Sequence, residues 1–177
     1  MIYKFNNIKL IKTDVSLKNE YLNMISEWRD YGGDLIPWSL NLDTVDFDLL
    51  VKNLNKYSDG IGLPYGFVPF TTFWLVNNEK NILGAIEIRH ELNDYLAFRG
   101  GHIGYGIRPS ERNKGYASSM LSMALQHCKT MGLSKVLITC LKNNIGSAKT
   151  IMKNGGILDS EDIDNGEVFQ RYWINII

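Results

Sequence analysis

A chain of 177 residues, 45% hydrophobic and 21% charged, can bury one sizeable core and is short for two, so a single domain over residues 1–177 is expected. Lys+Arg and Asp+Glu balance at 19 each, which argues against a nucleic-acid or membrane-surface partner chosen by overall charge. No apolar run approaches the ~18 residues of a membrane span, the first residues lack the apolar core and cleavage site of a secretory leader, and Cys128 and Cys140 have neither metal-ligand nor disulfide spacing. A reducing, cytoplasmic setting, no metal and two buried free thiols are therefore expected.

Residues 8–11 form a short apolar run that predicts an opening strand. From Ser16 or Asn19 a helix is predicted, because Leu17, Tyr21, Met24, Ile25 and Trp28 recur at spacings of three and four until Gly32-Gly33. Asp43 or Thr44 would cap a second helix, with Phe47, Leu50, Val51 and Leu54 on one face. Residues 59–70 hold Gly60, Gly62, Pro64, Gly66 and Pro69 and read as a loop whose Tyr65, Phe67 and Phe70 need a surface to cover. Strands are predicted at 71–76 and 82–90 around the polar turn 77–81, and again at 102–107. In the second of these, Ile86 and Ile88 alternate against Glu87 and Arg89.

The period then changes to about 3.6: Ala117, Met120, Leu121, Ala124, Leu125 and Cys128 mark a helix that Gly132 would stop. Residues 135–140 form a compact buried strand, and a further helix from about Asn144 to Asn154 stops at Gly155-Gly156. A last strand, 169–174, follows the polar stretch 159–167. Its edge could pair with another chain, which leaves room for a homodimer. The order β, α, α, β, β, β, α, β, α, then β or ββ predicts an α/β (α+β) fold, a mixed and mostly antiparallel sheet flanked by helices.

One segment carries chemistry. A strand ending at Ile107 is followed by Arg112-Asn113-Lys114-Gly115-Tyr116-Ala117, which opens a long amphipathic helix. A helix start leaves backbone N–H groups without internal partners, and with the macrodipole they make an anion site. Gly115 lets an anion approach the backbone closely, Ala117 is small for the same reason, and Arg112 and Lys114 add positive charge.

Arg-x-x-Gly-x-Ala in this strand-to-helix setting resembles the acyl-CoA signature of the GNAT acetyltransferases, Gln/Arg-x-x-Gly-x-Gly/Ala. Asn144-x-x-Ser147 followed by Lys153-x-Gly155 resembles the family's next helix, and the run 100–156 is similar to a bacterial subgroup. The resemblance covers roughly residues 71–158. It implies an N-acetyltransferase that moves an acetyl group from acetyl-CoA to a primary amine, borne by a small molecule or a peptide. It implies a GNAT fold, a pyrophosphate on the amides of residues 112–117, pantetheine near Asn144 and Ser147, and a thioester along the strand that ends at Ile107. Backbone N–H groups near Tyr105–Ile107 would polarise the thioester carbonyl.

The tyrosine that the family often uses to protonate the leaving thiolate would fall seven residues after Asn144, where this chain has Ile151. That departure keeps open a second reading, a CoA-binding sensor without turnover. Other nucleotide folds are disfavoured, because no Gly-x-x-x-x-Gly-Lys-Ser/Thr loop or Gly-x-Gly-x-x-Gly follows a strand. For proton transfer the candidates are Glu87, with a surface or ion-paired carboxylate as the alternative; His102, whose neutral imidazole takes a proton near pH 7, with a hydrogen-bonded structural histidine as the alternative; and Tyr105, which would orient substrate or relay a proton, with a core aromatic as the alternative. Strand alternation puts His102 and Tyr105 on opposite faces. Arg89 and His90 are either a site for an acidic group on the acceptor or, more commonly for such residues, paired surface charge. Trp28, Tyr31, Trp38, Tyr65, Phe67, Phe70 and Trp74 are candidate acceptor walls with core packing as the alternative.

Overall fold

The computed structural model describes residues 7–176; the reading of the first residues as lacking a leader lies outside them. Strand β1 (Ile8–Lys12) leads to helices α1 (Lys18–Tyr31) and α2 (Phe47–Ser58). Strands β2 (Phe70–Asn77), β3 (Ile82–Arg89) and β4 (Ile103–Ile107) follow. Then come α3 (Tyr116–Thr130), β5 (Lys135–Leu141), α4 (Ile145–Lys153), β6 (Ile157–Asp164) and β7 (Glu167–Asn175). Helix α1 buries the predicted stripe Tyr21, Met24, Ile25 and Trp28 and ends at Gly32, whose φ of 87° is costly for any residue with a Cβ. Helix α2 buries Phe47, Leu50, Val51 and Leu54, and its cap is Asp46, which accepts from Leu49 N at 2.9 Å. Asp43, one of the two expected caps, instead closes a local turn by accepting from Val45 N.

The α/β expectation holds, and the sheet resolves into two antiparallel parts: β1-β2-β3-β4 and β5-β7-β6. One core cluster packs α3 against one face of the first sheet through Ile86, Ile88, Ile103, Met120, Leu121 and Val136. A second packs α1 and α2 against the other face through Tyr21, Met24, Phe47 and Trp74. Strands β2 and β3 are covered on both sides, so they read as nearly continuous apolar runs.

Strand β7 lies between β5 and β6 and is paired on both edges. The expectation that residues 169–174 form a free edge is therefore corrected: the last strand in sequence is the middle strand in space, and β6 is the outer one.

The two sheets meet where β4 begins. His102 N donates to Leu137 O at 2.7 Å, and Leu137 N donates back to His102 Nδ1 at 2.9 Å. Gly101 makes this approach feasible, since a Cβ there would stand 2.7 Å from Leu137 O. Beyond this seam β4 pairs only with β3 among the described residues. His102 O and Arg108 N bond to β3, so alternate residues at 102, 104, 106 and 108 face it. The N–H groups of Ile103, Tyr105 and Ile107 therefore face the wedge between the sheets.

Candidate active site

The connection from β4 to α3 is anchored from below. The Glu27 carboxylate takes Arg108 Nε at 2.7 Å, is also ion-paired with Arg108 Nη2, and accepts from Ser110 N at 2.8 Å. Arg108 further donates to Asn23 Oδ1 and to Ile82 O, so α1 and β3 fix the turn that precedes the helix. Asn113 and Gly115 take left-handed backbone conformations, φ 62° and 96°. Asparagine and glycine are the residue types that do so most readily. Gly115 is the N-cap of α3 and brings no side chain to cap it. A helix start capped by glycine suits the approach of an anion.

These amides open into a cavity of about 540 Å³. Of the predicted cofactor residues, Ile107, Arg112, Asn113, Gly115, Tyr116, Ala117, Asn144 and Ser147 line it, and Lys114 does not. Lys114 Nζ pairs with Glu111 at 3.0 Å on the exposed side of the turn. The Arg112 guanidinium lies over the rings of Trp28 and Tyr31, 5.1 and 4.9 Å from their centroids, and its Nε donates to Ile107 O. Asn144 spends its side-chain oxygen as the cap of α4, accepting from Ser147 N at 3.0 Å. Sequence reasoning missed Lys149, Thr150 and Lys153, which bring a second source of positive charge from α4. The i, i+4 spacing of the two lysines was the available signal.

Tyr105 lines the same cavity. Its hydroxyl spans the wedge to Ser147 Oγ at 2.9 Å, and burial raises its pKa to about 12. It is a protonated hydrogen-bonding group at neutral pH. Ile151, at the place of the family's usual tyrosine, is fully buried in the core.

His102 is elsewhere. Its ring is buried at the seam, its Nδ1 accepts the Leu137 amide, and burial with the nearby Arg89 charge lowers its pKa to about 4. A neutral ring that accepts at Nδ1 carries its proton on Nε2, so both nitrogens are committed. This ring ties the two sheets together. Burial also raises the pKa of the Cys128 thiol to about 12 and raises that of Cys140, as expected for inert core thiols.

Glu87 is buried, with 1% of its surface exposed, and belongs to a second cavity of about 220 Å³. It pairs with Arg89 at 2.9 Å and accepts from Ser39 N at 3.3 Å. Arg89 therefore serves an internal ion pair, and His90 bonds Thr71 Oγ1 at 2.8 Å. Of the aromatic candidates, Trp38, Phe67 and Phe70 line this second cavity and Trp28 the first. Trp74 is core, whereas Tyr65 and Tyr31 are exposed. The segment 36–38 separates the two cavities and runs along β4. It can do so because Gly104 and Gly106 present no side chain: a Cβ on Gly104 would stand 3.3 Å from Arg89 Nη2 and 3.6 Å from Pro37 Cβ, and one on Gly106 would collide with Ile36 O.

A glycine-capped helix start, an adjoining open strand edge and two antiparallel sheets that part beside it define an acyl-CoA-dependent N-acyltransferase fold. The match to known families agrees: residues 19–157 match the acetyltransferase (GNAT) domain model, and the chain belongs to that family. No curated protein matches the sequence. Among solved structures, the chain is similar to the microcin C7 self-immunity acetyltransferase MccE in complex with acetyl-CoA and AMP, with 15% identity, a TM-score of 0.70, and coverage of 97% of this chain and 94% of that one. It is similar to the Salmonella typhimurium acetyltransferase that modifies the N-terminal serine of a 50S ribosomal subunit protein, with 14% identity, a TM-score of 0.69, and coverage of 98% and 97%. It is also similar to the dodecameric spermidine N-acetyltransferase of Vibrio cholerae, with 17% identity, a TM-score of 0.65, and coverage of 97% and 95%. At these identities the likeness establishes the shared fold. No helix among the described residues is long and apolar enough to cross a membrane.

Proposed function

We propose that the protein transfers an acetyl group from acetyl-CoA to a primary amine by direct attack. The observation that carries this reading is the glycine-capped start of α3 at Gly115 opening into one cavity with the wedge-facing edge of β4. The amides of residues 113–117, with Lys149 and Lys153, suit a diphosphate. Tyr105 N and Ile107 N are aimed to donate to a thioester carbonyl oxygen as it gains negative charge. As the amine nitrogen bonds to the carbonyl carbon and the C–S bond breaks, the Tyr105 hydroxyl, supported by Ser147, gives its proton to the leaving sulfur. The amine attacks in its neutral form, its ammonium proton having passed to solvent. The bonded nitrogen then loses its second proton through water to Glu87, which returns it to solvent, and Tyr105 is reprotonated through Ser147 and solvent. Tyr105 thus stands in for the tyrosine that Ile151 replaces, which favours an enzyme over a silent CoA-binding sensor.

Self-association belongs to the same reading. One structural neighbour is described as a dodecamer, and the outer strand β6 exposes Ile157, Leu158 and Ile163. The test of the activity is thiol release from acetyl-CoA with an amine panel. Tyr105→Phe should lower kcat by roughly 100-fold, the lower range for general acid–base catalysis, with acetyl-CoA affinity by calorimetry little changed. An unaltered kcat in a regime limited by chemistry removes Tyr105 from the acid role.

A further inference from the structure

We infer that the acceptor is a monoamine carrying one aromatic or compact apolar group, held in the smaller cavity beside β4; the inference rests on the acetyl transfer proposed above. The cavity is placed for it. Glu87 lies opposite Gly104 in the β3–β4 register, and the Arg89 guanidinium lies against Gly104, so the pocket adjoins the strand whose far edge faces the wedge. The large cavity reaches β4 from the other side of the segment 36–38. Segment 36–38 packs on Gly104 and Gly106 between the two cavities, so transfer requires that segment to shift when donor and acceptor are both bound.

The wall of the pocket is aromatic and continuous. Trp38 and Phe67 have ring centroids 4.5 Å apart, Phe67 and Phe70 are 6.2 Å apart, and Trp38 meets Phe70 edge-on at 6.0 Å. Such faces attract both a ring and the ammonium form of an incoming amine. The floor is polar without net charge. Glu87 is the one carboxylate in the lining, and Arg89 neutralises it while also donating to Gly100 O and Gly101 O.

Charge and size then select the acceptor. A polyamine brings several ammonium groups, each of which needs a carboxylate to offset its desolvation. This lining offers a single, already paired one and sets a guanidinium beside it. An apolar cavity of about 150 Å³ holds benzene. The 220 Å³ here accommodates a ring and a short arm carrying the nitrogen.

The test compares 2-phenylethylamine with spermidine as acceptors for the full chain, with acetyl-CoA binding measured by calorimetry in parallel. The expected result is a kcat/KM for 2-phenylethylamine at least about tenfold above that for spermidine. Trp38→Ala should raise KM for 2-phenylethylamine by roughly tenfold while acetyl-CoA affinity stays near the wild-type value. Phe67→Ala, at a partly exposed position, provides the same readout if Trp38→Ala does not fold. Protein that acetylates spermidine in preference to 2-phenylethylamine overturns the acceptor inference alone, whereas protein that binds acetyl-CoA and acetylates neither amine refutes the transfer reading beneath it. An equal loss for both amines in Trp38→Ala also overturns it, since a general disturbance would act on both. Protein that does not bind acetyl-CoA refutes the reading beneath it.

Discussion

Replacing Gly115 with aspartate tests the anion site most directly, provided that the charge can be separated from the backbone. Gly115 sits at φ 96° and ψ 1° as the N-cap of α3. A residue with a Cβ there costs about 1–2 kcal/mol of fold stability, and asparagine and aspartate share that cost because their shapes are nearly the same. Only aspartate adds a negative charge. At ~5 Å from a phosphate and an effective dielectric of ~20, one unit of repulsion is about 3 kcal/mol, or roughly a hundredfold in Kd. Urea denaturation should therefore place Gly115→Asp and Gly115→Asn at similar stability. Calorimetry with acetyl-CoA should show the aspartate variant binding about a hundredfold more weakly than the asparagine variant. Added salt should narrow that gap, because exposed charges are screened over ~10 Å at 0.1 M. Equal affinities for the two variants would mean that no phosphate lies near residue 115, and the site assignment would fail.

Two further outcomes follow from the scaffold. His102 is held at a pKa of about 4 in the folded chain against 6.5 for an ordinary histidine, so the unfolded chain binds its proton first as the pH falls. The contribution of His102 is complete above about pH 7 and is lost between pH 6.5 and 4, by about 3 kcal/mol. His102→Asn, which keeps an acceptor for Leu137 N without a titratable ring, should flatten the pH dependence of the urea midpoint over that window, and an unchanged slope would refute the assignment. Glu27→Gln leaves an acceptor for Ser110 N but removes the charge that holds Arg108, so stability should fall by about 1–3 kcal/mol and acetyl-CoA affinity should drop several-fold. A variant matching wild type in both measurements would show that this clamp does not position the turn.

What the sequence made legible was local. The buried stripes of α1, α2 and α3 were readable because one helical face meets one core cluster, and the apolar runs of β2 and β5 because most of their residues are buried. Strand β6 gave no such pattern. Ile157, Leu158, Asp159, Glu161 and Ile163 are all exposed, so no two-residue period marks a buried face. The inversion of β6 and β7 was also hidden, since sheet order is decided by pairings between distant segments and the last strand in a chain has no reason to be outermost.

The same division runs through the site. Asn113 and Gly115 announced the turn through their own backbone preferences, and Ile107 followed from being next to it. The spacing of Lys149 and Lys153 puts them on one helix face, but that this face borders the site depends on the packing of α4 beside the start of α3. The alternation around Glu87 left a surface or an ion-paired carboxylate open; it is ion-paired with Arg89, and that face of β3 is covered by the segment carrying Ser39. The covering itself had a signal. In Ile103-Gly104-Tyr105-Gly106-Ile107 the glycines share one face, which leaves that face bare for another segment to approach.

An open strand edge is ordinarily a liability, because its unpaired amides recruit other chains. Here the opening is only five residues long and its boundaries are held. His102 closes one end by exchanging hydrogen bonds with Leu137, and Arg112 Nε takes Ile107 O at the other. Between them Tyr105 reaches across to Ser147, so the gap is bridged by the one side chain able to act within it. The wedge-facing amides of Tyr105 and Ile107 are thus kept from pairing with β5 by the same contacts that hold the two sheets at a fixed separation. An edge so guarded makes sense if those amides are reserved for a ligand carbonyl, a division in which His102 ties the seam and the proposed proton transfer falls to Tyr105 and Glu87.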